Sequence, residues 1–314
     1  MKKINLFGQF LLFTATLAWG TSFLILKNTI EEVPAFYVIG LRFLFAGVVL
    51  LLVFIKRLKF LDKKTFFAGV VIGLSVAAAY IAQTLGLLQT TPGRNAFVTA
   101  SYCVMCPFLM WGIFKRKPNA NNIISAVLCL VGIGMISLSG DSGESGNALL
   151  GDALTLIGAL FFAFQIVFIN KYQEQGLDNI LLLIFNLLTV GVVFAICSLI
   201  FELPKNGISG YYLNSDQIIR ITYLAVICTL YAQAAQLIGQ KFTSPNQSAI
   251  ILSLEAVFGV LFSVFFGTEK LSLILGIGFA IVFVAILFSE LNIDFKKLFK
   301  KQKKSLDETS IDKG

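Results

Sequence analysis

Apolar residues run along this chain in long blocks, and polar residues gather in short stretches between them. The blocks are about 17–23 residues long, the length a helix needs to cross a hydrocarbon core of roughly 30 Å. Cutting at the polar runs and at Pro and Gly turns predicts ten helices, near 6–26, 34–55, 66–88, 93–114, 123–139, 149–170, 179–201, 218–240, 246–266 and 271–289. Helix is the expected form because it satisfies its own backbone hydrogen bonds where lipid offers none. The fold class that follows is an all-α polytopic membrane protein with ten transmembrane helices. The opening stretch, MKKINLFGQFLLFTATLAWG, reads as the first span and not as a signal peptide, because the apolar run continues to Leu26 and no clear A-x-A site follows.

Composition agrees with the pattern. The chain is 57% hydrophobic and 13% charged, with a mean hydropathy of +0.85, against about 25% charged for soluble domains. Its net charge of +8 sits largely in runs beside apolar blocks, such as KRLKFLDKK at 56–64, KRK at 115–117 and FKKLFKKQKK at 295–304. Basic residues so placed orient spans and meet anionic lipid, which makes membrane lipids, and not nucleic acid, the expected partner. The bias predicts both termini on the cytoplasmic side of the cell inner (cytoplasmic) membrane, with Lys27, Arg94, Lys205, Arg220 and Lys270 opposite. The tail 291–314 is too polar to fold and is expected to be disordered. The five cysteines, including the CxxC of Cys103 and Cys106, read as small apolar core residues. The absence of His removes the commonest metal ligand and the usual general base, so no metal site and no cofactor is expected.

The middle of the chain repeats. YIAQTLGLLQTTPGRNAFV from Tyr80 aligns with QAAQLIGQKFTSPNQSAII from Gln233, an offset of 153 residues. Ala82, Gln83, Gly86, Thr90, Pro92 and Ala96 meet Ala235, Gln236, Gly239, Thr243, Pro245 and Ala249. Thr91 and Ser244 suit a helix N-cap and Pro92 and Pro245 the first helical position. Five spans separate equivalent elements, so the halves face opposite ways across the membrane. Inverted repeats with a site between them near the midplane are a recurring transporter plan.

WGTSFLILK at 19–27, Pro34 and Arg42, TPGRNAFVTASYCVMCPF at 91–108, and TSPNQSAIILSLEAVFGVLFSVFFGTEKLS at 243–272 resemble the EamA-like family of the drug/metabolite transporter superfamily. The resemblance spans about 6–290. It implies ten helices in two inverted five-helix repeats, here 1–140 and 149–290, and transport of small metabolites. The chain departs from that family at Ala256, where Pro often follows the Glu, at the Gly-Thr-Glu turn with Thr268 inserted, and at KRK in the first repeat.

Polar side chains at bilayer depth should face the bundle interior or a wet cavity. Tyr80 and Gln83 share a helix face, as do Gln233, Gln236 and Gln240, and as do Asn95, Thr99 and Tyr102. Ser248 and Glu255 lie two turns apart on another. Tyr102 and Glu255 fall at equivalent repeat positions. Trp19, Ser22, Phe162 and Gln165 complete the expected cavity. Buried amides and hydroxyls also serve simply to join helices. Glu255, about ten residues into its span, reads either as a proton-coupling or cation-binding carboxylate or as a structural acid, with Arg42 as a candidate charge partner. Gly69 and Gly73 form a GxxxG for close packing, within the chain or in a homodimer.

Taken together, these features predict a secondary transporter for a small organic metabolite working by alternating access, with proton coupling as one energy source. No GxxxxGK[ST] loop is present for direct ATP drive. Amino acids or related zwitterions are slightly favoured, because a lone acid among amides suits an amine. Vitamins, nucleotide-related compounds and drugs are alternatives within the fold. A channel and an intramembrane enzyme are the rivals of another class. The enzyme reading lacks a pair of catalytic groups at one depth.

Overall fold

In the computed structural model, the described residues are 2–115, 117–138, 147–243, 245–266 and 272–290. They are helical throughout, with short turns and no strand among them. We number the long helices in chain order: α1 Lys2–Ile30, α2 Ala35–Val53, α3 Lys63–Leu88, α4 Pro92–Phe114, α5 Ala120–Leu138, α6 Ala148–Glu174, α7 Asn179–Asn206, α8 Ser215–Phe242, α9 Pro245–Phe265 and α10 Leu273–Glu290. Seven of these, α1–α4 and α6–α8, are long and apolar enough to cross a membrane; α5, α9 and α10 carry shorter apolar stretches of 10–17 residues.

Local signals set the starts. Asp62 accepts from Thr65 N at 2.8 Å ahead of α3, and Asp178 accepts from Ile180 N at 2.8 Å ahead of α7. Asn214 and Gln217 form a capping box at α8. Thr91 stands at the N-cap of α4 with Pro92 behind it, and Pro245 opens α9. Ser244, the matching cap expected from the repeat, lies outside the described residues, as do the 140–146 acidic loop, the 267–271 turn and the tail. The start of α2 is capped from a distance: Glu202 accepts from Phe36 N at 2.7 Å and Tyr37 N at 3.0 Å.

Three helices depart from regular winding. α4 breaks at Ser101, where Ser101 N bonds Val98 O at 3.2 Å, and it contains Pro107. α7 ends through a π turn at Ser198–Glu202 and α8 contains a π stretch at Val226–Tyr231. Such insertions free carbonyls for other partners.

Packing pairs the helices in a matched way. α3 lies on α6 and α1 on α8; α4 lies on α6 and α9 on α1; α2 packs on α7, α4 on α9 and α5 on α10. Adding five to each number exchanges these pairs among themselves. Glycines sit at the crossings. A Cβ on Gly86 would lie 2.7 Å from Gly151 O and one on Gly151 would lie 3.0 Å from Gly86 O. Gly8 and Gly239 meet reciprocally in the same manner, as do Gly132 and Gly278. Gly69 and Gly73 face Phe185 and Thr189 of α7, so the GxxxG is used inside the chain. Gly86→Ala is therefore expected to lower stability by about 1–3 kcal/mol through overpacking. Gly134→Ala, where a Cβ meets nothing within 4 Å, serves as the neutral control. Detergent melting curves of both variants check this, and equal midpoints would refute the close crossing.

Candidate functional site

The cavity between the halves is built from α1, α3, α4, α6, α8 and α9. It is lined by Trp19, Ser22, Phe23, Leu26, Tyr80, Gln83, Thr99, Tyr102, Phe162, Gln165, Ile166, Gln233, Gln236, Leu252 and Glu255. The structure thus gathers ten of the eleven residues expected to bind substrate, together with Phe162. Asn95 is the exception. It is fully buried one turn nearer the start of α4, where its amide donates to Thr155 Oγ1 at 2.6 Å and Gln83 O at 3.3 Å. It joins α4 to α6 and does not reach the cavity.

The lining falls into pairs. Trp19 and Phe162, Ser22 and Gln165, and Phe23 and Ile166 are each 143 residues apart. Tyr80 and Gln233, Gln83 and Gln236, Thr99 and Leu252, and Tyr102 and Glu255 are each 153 apart. Only Leu26 stands outside a pair. The α1–α6 equivalence had no signal in the sequence, because these partners share position and shape but not identity.

Amides dominate the walls. Gln165 Nε2 lies 3.2 Å from Gln236 Oε1 and 3.4 Å from Gln233 Oε1, and Gln83 Nε2 donates to Thr99 Oγ1 at 2.9 Å. Trp19 Nε1 donates to Cys228 O at 3.0 Å, a carbonyl within the π stretch of α8. Tyr80 packs edge-on against Phe43 and Phe162, with ring centres 5.1 and 5.3 Å away. Glu255 is 5% exposed and forms no ion pair among the described residues. The Tyr102 hydroxyl faces its carboxylate without a direct hydrogen bond. The free volume is about 40 Å³, counted as room for the centres of water-sized molecules, so this arrangement has room for a few waters.

Arg42 does not pair with Glu255, contrary to the charge pair considered from sequence. Its Nε donates to Thr229 Oγ1 at 2.6 Å, and its guanidinium carbon lies 5.4 Å from the ring centres of both Phe43 and Tyr80. The physical reason is placement: the guanidinium is anchored on Thr229 and packed near the Phe43 and Tyr80 rings, outside the lining that contains Glu255.

The end of the bundle that carries the α1–α2 turn is rich in ion pairs. Arg94, expected at a helix end on the side opposite the cytoplasm, is fully buried and holds Asp152 in a forked contact, Nη2 to Oδ2 at 2.7 Å and Nε to Oδ1 at 3.0 Å. The pair ties α4 to α6 and was not foreseen. Lys27 pairs with Glu31 at 3.3 Å, one turn along the helix end, and its ammonium also donates to Leu87 O at 3.0 Å. Arg220 bridges Glu32 and Asp216, each at 2.7 Å. Hydrogen bonds from Arg220 and then Gln217 hold the Glu32 carboxyl below the usual carboxylate range.

A family model described as the EamA-like transporter family matches residues 6–138 and 149–291. The chain is a multi-pass helical membrane protein of the transporter class. It belongs to the EamA-like transporter family. It is 29% identical over 289 residues to a protein of Archaeoglobus fulgidus described as an uncharacterized transporter, covering 92% of this chain and 87% of that one. It is 26% identical to the Escherichia coli K12 protein described as the uncharacterized inner membrane transporter YedA, covering 90% of each. A solved crystal structure superposes with a TM-score of 0.66 at 16% identity, over 90% of this chain and 96% of the other; that likeness establishes the fold alone.

Proposed function

We propose that this protein is a secondary transporter that moves a small organic solute by alternating access between two inverted five-helix repeats, residues 1–140 and 149–290. In this reading all ten helices cross the cell inner membrane, both termini are cytoplasmic, and the ion-paired end of the bundle is the outer one. The observation that carries it is the paired lining of the central cavity, with both halves contributing residues at matching positions. A site on the axis between two inverted halves is what a rocking-bundle carrier requires. The walls are neutral amides, hydroxyls and aromatic rings with a single carboxylate. That chemistry favours a polar metabolite carrying an amine, of the amino-acid type.

The experiment is a thermal-shift panel of amino acids, nucleosides, vitamins and cationic drugs on purified protein, followed by counterflow in proteoliposomes. A solute at a hundredfold excess over its Kd should stabilise the folded state by about 2.7 kcal/mol. The same solute, loaded inside vesicles, should drive uptake of its labelled form. Ohmic conductance without counterflow would make the protein a channel and end this reading.

A further inference from the structure

Four charged side chains are buried among the described residues: Arg42, Arg94, Asp152 and Glu255. Arg94 and Asp152 neutralise one another. That leaves one cation and one anion inside the bundle, and neither forms an ion pair among those residues. Arg42 is 1% exposed, and its Nη1 and Nη2 have no hydrogen-bond partner there. A guanidinium in that position strongly favours an anion, because low dielectric makes an unpaired buried charge costly.

We infer that Arg42 is the carboxylate-binding half of the substrate site and that the substrate is a zwitterion of the α-amino-acid type, its ammonium held by Glu255. The inference rests on the transporter reading. Three observations carry it. The Nε edge of Arg42 is fixed by Thr229, whose hydroxyl in turn donates to Leu224 O at 2.8 Å across the π stretch of α8. This leaves the two Nη nitrogens as the free edge, and a guanidinium so anchored suits the forked recognition of a carboxylate. Second, Arg42 lies beside a ring that lines the cavity: its guanidinium carbon is 5.4 Å from the Tyr80 ring centre. Third, the remaining polar lining is neutral, so the ligand that balances the two lone charges carries one of each sign. In this arrangement the cavity has room for only a few waters. A substrate therefore reaches Arg42 when the Tyr80 ring swings aside from its place between Phe43 and Phe162.

The test compares each common L-α-amino acid with its α-amide, which keeps the ammonium and loses the carboxylate, by thermal shift and counterflow. On wild-type protein, the amino acid that binds should exceed its amide by about tenfold or more, the scale of one charge-assisted hydrogen bond. Arg42→Gln should bring the two to near equality, and Arg42→Lys should restore part of the preference. If wild type takes the amide as well as the amino acid, or if Arg42→Gln keeps the preference, the assignment is wrong. If no amino acid binds while another class from the wider panel shows counterflow, the zwitterion site is refuted and the transporter reading stands. If no solute shows counterflow and the protein conducts ohmically, both fall. Should Arg42→Gln fail to fold, the wild-type comparison decides alone.

Discussion

Asp152→Ala is expected to lower the stability of the protein in detergent by about 3–5 kcal/mol, the cost of breaking a buried ion pair from one side. Arg94 is fully buried and donates to Asp152 through both Nε and Nη2. Removing the carboxylate takes the ion-pair partner from a fully buried guanidinium at the contact between α4 and α6. The paired replacement Arg94→Met with Asp152→Leu should regain most of the loss, since well-packed apolar groups often match or exceed a buried pair. Chemical unfolding of the four proteins in the double-mutant cycle measures the coupling directly. A loss under about 1 kcal/mol for Asp152→Ala, the range of exposed pairs, would mean that water reaches this site. The repeat places Gln247 at the position equivalent to Arg94, 153 residues on, and Gln9 at the position 143 residues before Asp152. Both are neutral. In the transporter reading, the buried charges therefore close one end of the bundle and have no counterpart at the other. Neutralising the pair should bias the protein toward opening at the end that carries Arg94. Cysteine labelling from each side of the membrane reads that bias.

Which features were legible in the sequence follows from how each is encoded. Span length, the Pro-marked turns and the polar residues inside apolar runs are local, so they stand out against an apolar background. Glu255, Gln83, Gln233 and Gln236 were identifiable on that ground, and the cavity contains them all. Asn95 shares its spacing with Thr99 and Tyr102, yet depth separates them. It lies one turn closer to the end of the bundle, where α6 offers Thr155. Periodicity gives a face and not a depth along it. The Arg94–Asp152 pair was invisible because each residue sits within a few positions of a turn and reads as a helix-end charge. Burial came only when α6 crossed α4 and α3 at the glycines. The π stretch of α8 has no signature in a uniformly apolar segment, so neither the Thr229 anchor of Arg42 nor the Cys228 carbonyl that Trp19 uses could be foreseen. Arg42 itself was visible, but its neighbours were not. The tyrosine beside it, which lines the cavity, comes from α3, which no spacing argument links to α2.

Glu255→Gln should leave the protein folded and reduce transport by roughly 10–150-fold, the range for a charge-assisted hydrogen bond worth about 1.5–3 kcal/mol. The substitution keeps shape and volume and removes only the charge, so packing against Leu252 and Tyr102 is undisturbed. Melting should therefore change little, because Glu255 holds no ion pair among the described residues whose loss would strand a cation. What the measurement separates is the role of the carboxylate. If Glu255 holds the ammonium of the substrate, binding itself weakens, and the thermal shift produced by the solute shrinks with the flux. If it carries a coupling proton, the variant still binds and still exchanges solute down a gradient, but a pH difference across the vesicle no longer drives accumulation. A variant that binds, exchanges and accumulates like wild type would make Glu255 a structural acid. The two functional outcomes also bear differently on Arg42. A zwitterion with its ammonium on Glu255 leaves a carboxylate to be held, and Arg42, beside the cavity, is the buried cation whose Nη nitrogens have no partner among the described residues. A pure coupling role for Glu255 would leave Arg42 to bind a simple anion, and the amino-acid preference over its amide would then extend to the acid that lacks the amine.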